Sequence, residues 1–299
     1  MRFVEYNGEK ISKLSLGTVQ FGLDYGIANI KGQPAQQDIN EIINYVISKG
    51  INCFDTAQAY GNSENVLGKA LHSNKDIFVI SKLKTALFKE NLHESIEKSL
   101  DNLKLSSLYG LLLHDSELLS FWTETDSEKI NILKQNCKIK YFGVSIYTDK
   151  EFNLAIENSS VDIIQIPFNL FDQRAITKGW LEKAKEKNKL IFIRSIFLQG
   201  LFFMNSANLP KNLSDAQEAL NIFEEYATKL KISKAQLALN FVNSVAKEAV
   251  LLFGCDNLEQ AKENIDNFNN LISLDNKIIQ QLSLSFKDID EKIYNPSRW

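Results

Sequence analysis

The sequence predicts an α/β fold, a closed (β/α)8 TIM barrel with an N-terminal β-hairpin, and three observations carry that expectation. Eight short apolar runs recur along the 299 residues, each continuously hydrophobic rather than alternating, the pattern of parallel strands buried on both faces. The segments between them carry the 3.6-residue period of amphipathic helices. No Gly/Ser-rich or single-charge tract interrupts the alternation and only 4 prolines are present, so residues 1–299 read as one domain without a linker. Roughly 250 residues is an ordinary size for a single barrel of this kind.

The chain opens with the hairpin: Phe3 to Tyr6 and Ile11 to Leu14 flank Asn7-Gly8, a dipeptide that accepts the positive φ angles of a type I′ turn. The barrel strands follow as LSLGT (14–18), NCFDTA (52–57), IFVISKL (77–83), GLLLH (110–114), YFGVSI (141–146), DIIQIPF (162–168), LIFIRSI (190–196) and VLLFG (250–254). Among the helices, Ile39, Ile42, Ile43, Val46 and Ile47 form one stripe that ends at Gly50. Leu92, Ile96, Leu100 and Leu103 form a second, and Ala216, Ala219, Leu220, Phe223, Ala227 and Leu230 a third. The stretch between the seventh and eighth strands is about twice as long as the one before it, so it should hold an extra loop or helix. An open doubly wound sheet is the competing architecture. It would require G-x-G-x-x-G after the first strand, where this chain has GTVQFG (17–22) with the wrong spacing.

A hydrophobic share of 44% and a charged share of 24% are globular values and exclude disordered or fibrous classes. With 34 basic against 37 acidic residues the net charge is −3, which supplies no general attraction to nucleic acid or an anionic membrane; neither is expected as a partner. No apolar run reaches the ~18 residues of a membrane span. The opening MRFVEYNGEK lacks the apolar core of a signal peptide, which points to the cytoplasm. Cys53, Cys137 and Cys255 are odd in number and far apart, so each reads as a buried small hydrophobe and no metal site is expected. Nothing in the sequence sets an oligomeric state.

Barrels of this type carry their chemistry at the C-terminal ends of the strands. Read in order, those ends present Asp55 and Tyr60 after the second barrel strand, Lys82 on the third and His114 after the fourth, four groups able to hold or move a proton. Singly, each has a plainer explanation as a helix cap, a packing ring, a surface lysine or a turn residue. Their coincidence with three consecutive strand ends favours catalysis. The stretches INCFDTAQAYG (51–61), VISKLK (79–84) and LLLHDSE (111–117), with the opening KISKLSLGTVQFG (10–22), closely resemble the aldo-keto reductase family, and the likeness covers nearly the whole chain.

That resemblance implies an enzyme interconverting an aldehyde or ketone and an alcohol with NAD(P)H, a small-molecule sugar or nucleotide-linked sugar being the preferred carbonyl substrate by analogy. Tyr60 would be the general acid/base. A phenol with a pKa of about 10 is a poor acid alone. A buried ammonium at Lys82 would lower that value, Asp55 would keep the lysine charged, and His114 would orient the carbonyl oxygen.

Downstream segments look like the family's cofactor contacts. In GVSIY (143–147), Ser145 matches a serine that bonds the nicotinamide carboxamide, while Ile146 stands where many members have asparagine. In IIQIPFN (163–169), Gln165 matches a glutamine that supplies a further amide contact, with Asn169 behind it. In RSIFLQGLF (194–202), Arg194 replaces a tyrosine that stacks on the nicotinamide in many members. A guanidinium stacks too, or binds a phosphate or carboxylate of cofactor or substrate. Ser195, Phe197, Gln199, Gly200 and Leu201 would offer backbone N–H groups to the pyrophosphate. In LLFGCDNLEQAKEN (251–264), Gly254, Asp256, Gln260 and Asn264 fall on the adenosine side. Asp256 replaces the basic or hydroxyl residue that often meets the 2′-phosphate of NADP, which tilts the cofactor toward NAD. Against this, Asp256 with Glu259 also makes a D-x-x-E helix start, and Lys262 is placed to reach a phosphate.

Other strings carry less. GNSENVLGKA (61–70) lacks the spacing of a phosphate-binding P-loop, and HESIE (93–97) lacks the second histidine of a zinc-protease helix. Phe202 and Phe203 read as packing residues; Phe171, Trp122 and Trp299 are candidates for a pocket wall or for core. Substrate choice is expected from the loops 115–128 and 197–215. The alternative function is a nicotinamide-nucleotide-binding regulatory or scaffold protein with little turnover, for which Ile146 and Arg194 leave room. A barrel hydrolase using Asp55 with a second carboxylate leaves Tyr60 and Lys82 unexplained.

Overall fold

The hairpin forms where Asn7-Gly8 demands it: Asn7 and Gly8 adopt φ of 48° and 83°, and β1 (Phe3–Tyr6) pairs antiparallel with β2 (Glu9–Ser12). The structure is a computed structural model and describes residues 1–27, 29, 32–71, 74 and 76–299. The second hairpin arm ends before Leu14, contrary to the sequence expectation. Lys13 leaves the hairpin and its carbonyl accepts from Leu251 N at 2.8 Å, so the chain passes there from the hairpin into the barrel.

All eight apolar runs become parallel strands: β3 (Leu14–Gly17), β4 (Cys53–Asp55), β5 (Phe78–Leu83), β6 (Leu108–Leu113), β7 (Ile139–Ser145), β8 (Ile163–Pro167), β9 (Leu190–Arg194) and β10 (Val250–Phe253). They close in the order β10-β3-β4-β5-β6-β7-β8-β9, each bonded to its sequence neighbour and the last to the first. The three helical stripes lie in helices Gln36–Ser48, Leu92–Leu103 and Gln217–Leu230. The long interval before β10 holds three short 3-10 turns between Leu198 and Ala216, and then helices Gln217–Leu230 and Lys234–Val245. No helix among the described residues is long and apolar enough to cross a membrane.

Two apolar layers hold the fold. One lies between the strands and the surrounding helices. The other fills the barrel, where Cys53, Ile80, Leu112, Ile163, Phe192 and Leu252 meet Val4, Tyr6 and Ile11 of the hairpin. Tyr6 donates its hydroxyl to the carbonyl oxygens of Asp162 (3.4 Å) and Asn188 (3.2 Å), just ahead of β8 and β9, so the hairpin stops the N-terminal end of the barrel. The opposite end is left for chemistry.

Cys53 and Cys255 are buried as expected, and burial pushes the Cys53 thiol up to about 12, out of reach of thiolate chemistry. Cys137 departs from the expectation. It is exposed, at φ 54°, in the left-handed position just past helix Glu124–Gln135 where the chain turns toward β7.

Gly68 sits in helix Ser63–Leu71, which packs against helix Leu92–Leu103; a Cβ there would stand 2.3 Å from Asn102 O and 2.7 Å from Leu103 Cα. In an open helix Gly→Ala gains about 0.5–1 kcal/mol. At Gly68 the change should instead cost about 1–3 kcal/mol through overpacking. A urea titration reads this as a lower midpoint at unchanged slope, and a more stable Gly68→Ala protein would contradict it.

Candidate active site

Strand order delivers the four proton-handling residues to one place. Asp55 ends β4, Lys82 is next to last in β5, His114 directly follows β6, and Tyr60 lies in the turn between β4 and helix Ser63–Leu71. Lys82 is 1% exposed and Asp55 4%, so both charges are out of water. Lys82 Nζ spends its three donors on Asp55 Oδ1 (2.5 Å), the Thr56 carbonyl (3.0 Å) and the Tyr60 hydroxyl oxygen (3.4 Å). Because the ammonium donates to the phenol oxygen, the Tyr60 hydrogen is left to point elsewhere. The His114 ring stands edge-on to Tyr60 at 5.5 Å and 86°.

The electrostatics differ in one respect from the sequence expectation. Burial raises the Tyr60 pKa by more than the Lys82 ammonium lowers it, so the phenol titrates above its ordinary value. Burial works most strongly against the charge on Lys82, but Asp55 and Tyr60 together outweigh it, so its pKa is raised and the ammonium is held. His114 is driven down to about 4 by burial and then by Lys82. The imidazole is therefore neutral at pH 7, and its Nδ1 is buried without a partner.

These side chains open on a cavity of about 460 Å³, within the ordinary range for a ligand site. Its wall takes in Asp55, Tyr60, His114, Ser145, Gln165, Arg194, Ser195, Phe197, Gln199, Gly200, Gly254, Asp256, Gln260 and Asn264, which brings the sequence-predicted residues together with two exceptions. Lys82 lies behind Tyr60, and Leu201 turns into the apolar core. Gln165 has a partner the sequence did not suggest: its Nε2 donates to Asp55 Oδ2 at 2.8 Å. Asn169 is spent locally, accepting from Phe171 N (2.8 Å) and Asp172 N (3.0 Å) and donating to Ser195 O (2.9 Å).

The loop after β9 has left-handed backbone at Ser195 (φ 62°), Leu198 (48°), Gln199 (53°) and Gly200 (94°), and the Gly200 N–H, expected from sequence to face a pyrophosphate, donates instead to the Phe197 carbonyl at 2.9 Å. Ile146 and Arg194, the two departures from the resemblance, touch. Arg194 Nη2 donates to Ile146 O at 3.0 Å, while the Ile146 side chain is fully buried in the outer core. The guanidinium also lies 4.0 Å above the Tyr147 ring.

On the β10 side, Asp256 N donates to Gln260 Oε1 (2.7 Å), Gln260 Nε2 to Asp256 Oδ2 (3.2 Å) and Asn264 Nδ2 to Gly254 O (3.3 Å). The helix Leu258–Asn269 is capped by Asn257, whose Oδ1 accepts from Gln260 N, so the D-x-x-E reading of Asp256 as a helix start is displaced by one residue. Burial raises the Asp256 carboxyl. Lys262 turns away toward the Tyr45 ring, 5.9 Å from its centroid, and does not line the cavity.

Gln20, Tyr25, Tyr147, Glu263 and Asn267 also line the cavity and were not singled out from sequence, and Phe203, read there as a packing residue, joins them. Gln20 and Tyr147 lie just past β3 and β7, so the same strand-end reading applied to amide and phenol groups finds them. Phe202 is core, stacked on Phe223, whereas Phe203 is 46% exposed on the cavity rim. Phe171 is buried, Trp122 packs on Phe88 and Phe142, and Trp299 bonds the Lys292 carbonyl; none reaches the cavity.

Comparison with known proteins agrees with this architecture. A profile of the Aldo/keto reductase family matches residues 13–283. The uncharacterized oxidoreductase YqkF of Bacillus subtilis is 25% identical over 284 residues, spanning 87% of this chain and 88% of its own. The D-arabinose 1-dehydrogenase of Saccharomyces cerevisiae is 23% identical over 296 residues, 88% and 87% of the two chains. An aldo/keto reductase from Klebsiella pneumoniae, solved in complex with NADP and acetate, shares the fold with a TM-score of 0.72 at 20% identity, covering 99% of this chain and 96% of that one.

The low His114 pKa has a measurable consequence. In the unfolded chain an imidazole takes its proton at about 6.5, whereas the folded protein refuses it until about 4. Stability should therefore fall as pH drops through that window, by up to about 3 kcal/mol, and His114→Asn should flatten the slope. Imidazole NMR offers the direct check: a His114 signal titrating near its free value of about 6.5 would refute the assignment.

Proposed function

The chain belongs to the aldo/keto reductase family, and from that premise we propose that it interconverts an aldehyde or ketone and an alcohol by hydride transfer with NAD(P)H, Tyr60 acting as general acid in reduction and general base in oxidation. The observation that carries the proposal is the run of contacts from Asp55 through Lys82 to Tyr60, on a cavity wall shared with a neutral His114. A bound nicotinamide supplies the hydride; the protein supplies everything that happens at the oxygen.

The residues present suit such a cofactor. Of the buried polar atoms without partners among the described residues, Gln20 Oε1, His114 Nδ1, Arg194 Nε and Asp256 Oδ1 all belong to this one wall, the signature of a site made for polar ligands. Ser145 and Gln165 would hold the nicotinamide end, the left-handed turn 195–200 the pyrophosphate, and Asp256, Gln260 and Asn264 the adenosine. On the other side of the reaction, Tyr60 gives its free hydrogen to the carbonyl oxygen, and the phenolate left behind is stabilised by the Lys82 ammonium 3.4 Å away. The raised Tyr60 pKa keeps the acid loaded at neutral pH. His114, uncharged, orients the same oxygen by donating a hydrogen bond. A binding protein without turnover has no use for a buried ammonium that carries one of its three donors to a tyrosine hydroxyl, so the regulatory reading gains no support.

For the cofactor we favour NAD. At the Asp256 end the cavity wall offers the carboxylates of Asp256 and Glu263, while Lys234, in an adjoining pocket shared with Glu263, is paired with Glu224 at 3.1 Å, an arrangement that favours a ribose hydroxyl over a 2′-phosphate. The name of the yeast relative, D-arabinose 1-dehydrogenase, supports a sugar carbonyl as the substrate class.

Two outcomes are expected. Tyr60→Phe should cut kcat for carbonyl reduction about 10²–10⁴-fold, and undiminished turnover would end the mechanism. NADH should bind more tightly than NADPH by fluorescence titration, with Asp256→Ser moving the ratio of the two dissociation constants about tenfold toward NADPH. An unmoved ratio would remove Asp256 from cofactor choice.

A further inference from the structure

We propose that Arg194 makes the catalytic end of the cavity an anion subsite, so that the preferred substrates are carbonyl compounds bearing a carboxylate or phosphate a few bonds from the reacting carbon. The inference rests on the carbonyl-reducing function proposed above and narrows its substrate.

Asp55 is matched by Lys82 at 2.5 Å, and His114 is neutral. Arg194 belongs to no ion pair among the described residues, although it ends β9 on the cavity wall. It therefore leaves one uncompensated positive charge beside the reacting groups. It shares the cavity wall with Tyr60, His114 and Tyr25, and its field is felt at all three. A partly buried cation of this kind is costly until an anion meets it.

Donor geometry points the same way. A guanidinium has five N–H donors in a planar fork. Here Nη2 serves Ile146 O (3.0 Å), Nη1 reaches Ser195 Oγ at the long distance of 3.4 Å, and Nε is buried with no partner. One face is covered by Tyr147, 4.0 Å below, which fixes the plane of the fork. What the group has left to offer a ligand is the second N–H of Nη1 and of Nη2 on its outer edge, and that edge is a part of arginine that recognises carboxylate and phosphate oxygens. The pyrophosphate of a dinucleotide has the left-handed turn 195–200 to bind it, so the free edge of Arg194 remains for the substrate.

The test compares matched pairs: succinic semialdehyde with butanal, and D-glyceraldehyde 3-phosphate with D-glyceraldehyde, in the wild type, Arg194→Gln and Arg194→Lys. The wild type should favour the anionic member of at least one pair by about tenfold to a hundredfold in kcat/KM. Arg194→Gln should bring that ratio close to unity, and Arg194→Lys should keep part of it. The two pairs separate carboxylate from phosphate. A parallel measurement follows quenching of enzyme-bound NADH by succinate and by inorganic phosphate, which needs no turnover; Arg194→Gln should abolish it. If carbonyls are reduced but the ratio ignores Arg194, the subsite is wrong and the function stands. Arg194-dependent anion binding without reduction of any carbonyl would leave the subsite and sink the function. If the wild type shows no preference for either anionic member and no Arg194-dependent quenching, the proposal is overturned.

Discussion

The ion pair between Lys82 and Asp55 is the contact on which the site depends. Two charges taken this far out of water are worth holding only if every remaining donor and acceptor is satisfied. The structure meets that condition from three directions, with Thr56 and Tyr60 completing the lysine and Gln165 taking the second carboxylate oxygen. Asp55 comes from β4 and Gln165 from β8, four places apart in a ring of eight strands, so their 2.8 Å bond crosses the barrel from wall to wall. It forms only if the barrel is closed and of the right width. Fold and acid are thus tied by one carboxylate.

Much of this could be read from residue order. Continuous apolar runs are a strong signal because both faces of a parallel strand are buried, and the rule that chemistry sits at strand ends then selected Asp55, Lys82 and His114 without any contact information. What stayed hidden were bonds made across strands. The Gln165 to Asp55 bond joins residues 110 positions apart. Ile146 looked like a lost polar contact, yet it gives its side chain to the core and its carbonyl to Arg194. The net direction of the Tyr60 shift was equally out of reach, since it depends on how deeply the ring is buried, and burial belongs to the assembled barrel. Smaller differences, at the second hairpin arm, at Cys137 and at the Asn257 cap, arise where a neighbouring residue satisfied the same local rule.

Charge along the cleft is graded rather than neutralised. Arg194 stands by Tyr60 and His114, and Asp256 and Glu263 by the far end of the wall. A chain whose overall balance is nearly even therefore presents two local signs to whatever enters. Long-range attraction contributes little here; placement contributes the selectivity.

The bond from Arg194 to Ile146 is made to a backbone oxygen, and every amino acid has one. Position 146 is consequently free to vary without disturbing the arginine, as long as its side chain fills the same buried space. The reverse does not hold, because losing the arginine strands a carbonyl that the arginine had satisfied. The link between the two positions runs through the main chain, so in either order of substitution an arginine at 194 finds its acceptor already in place.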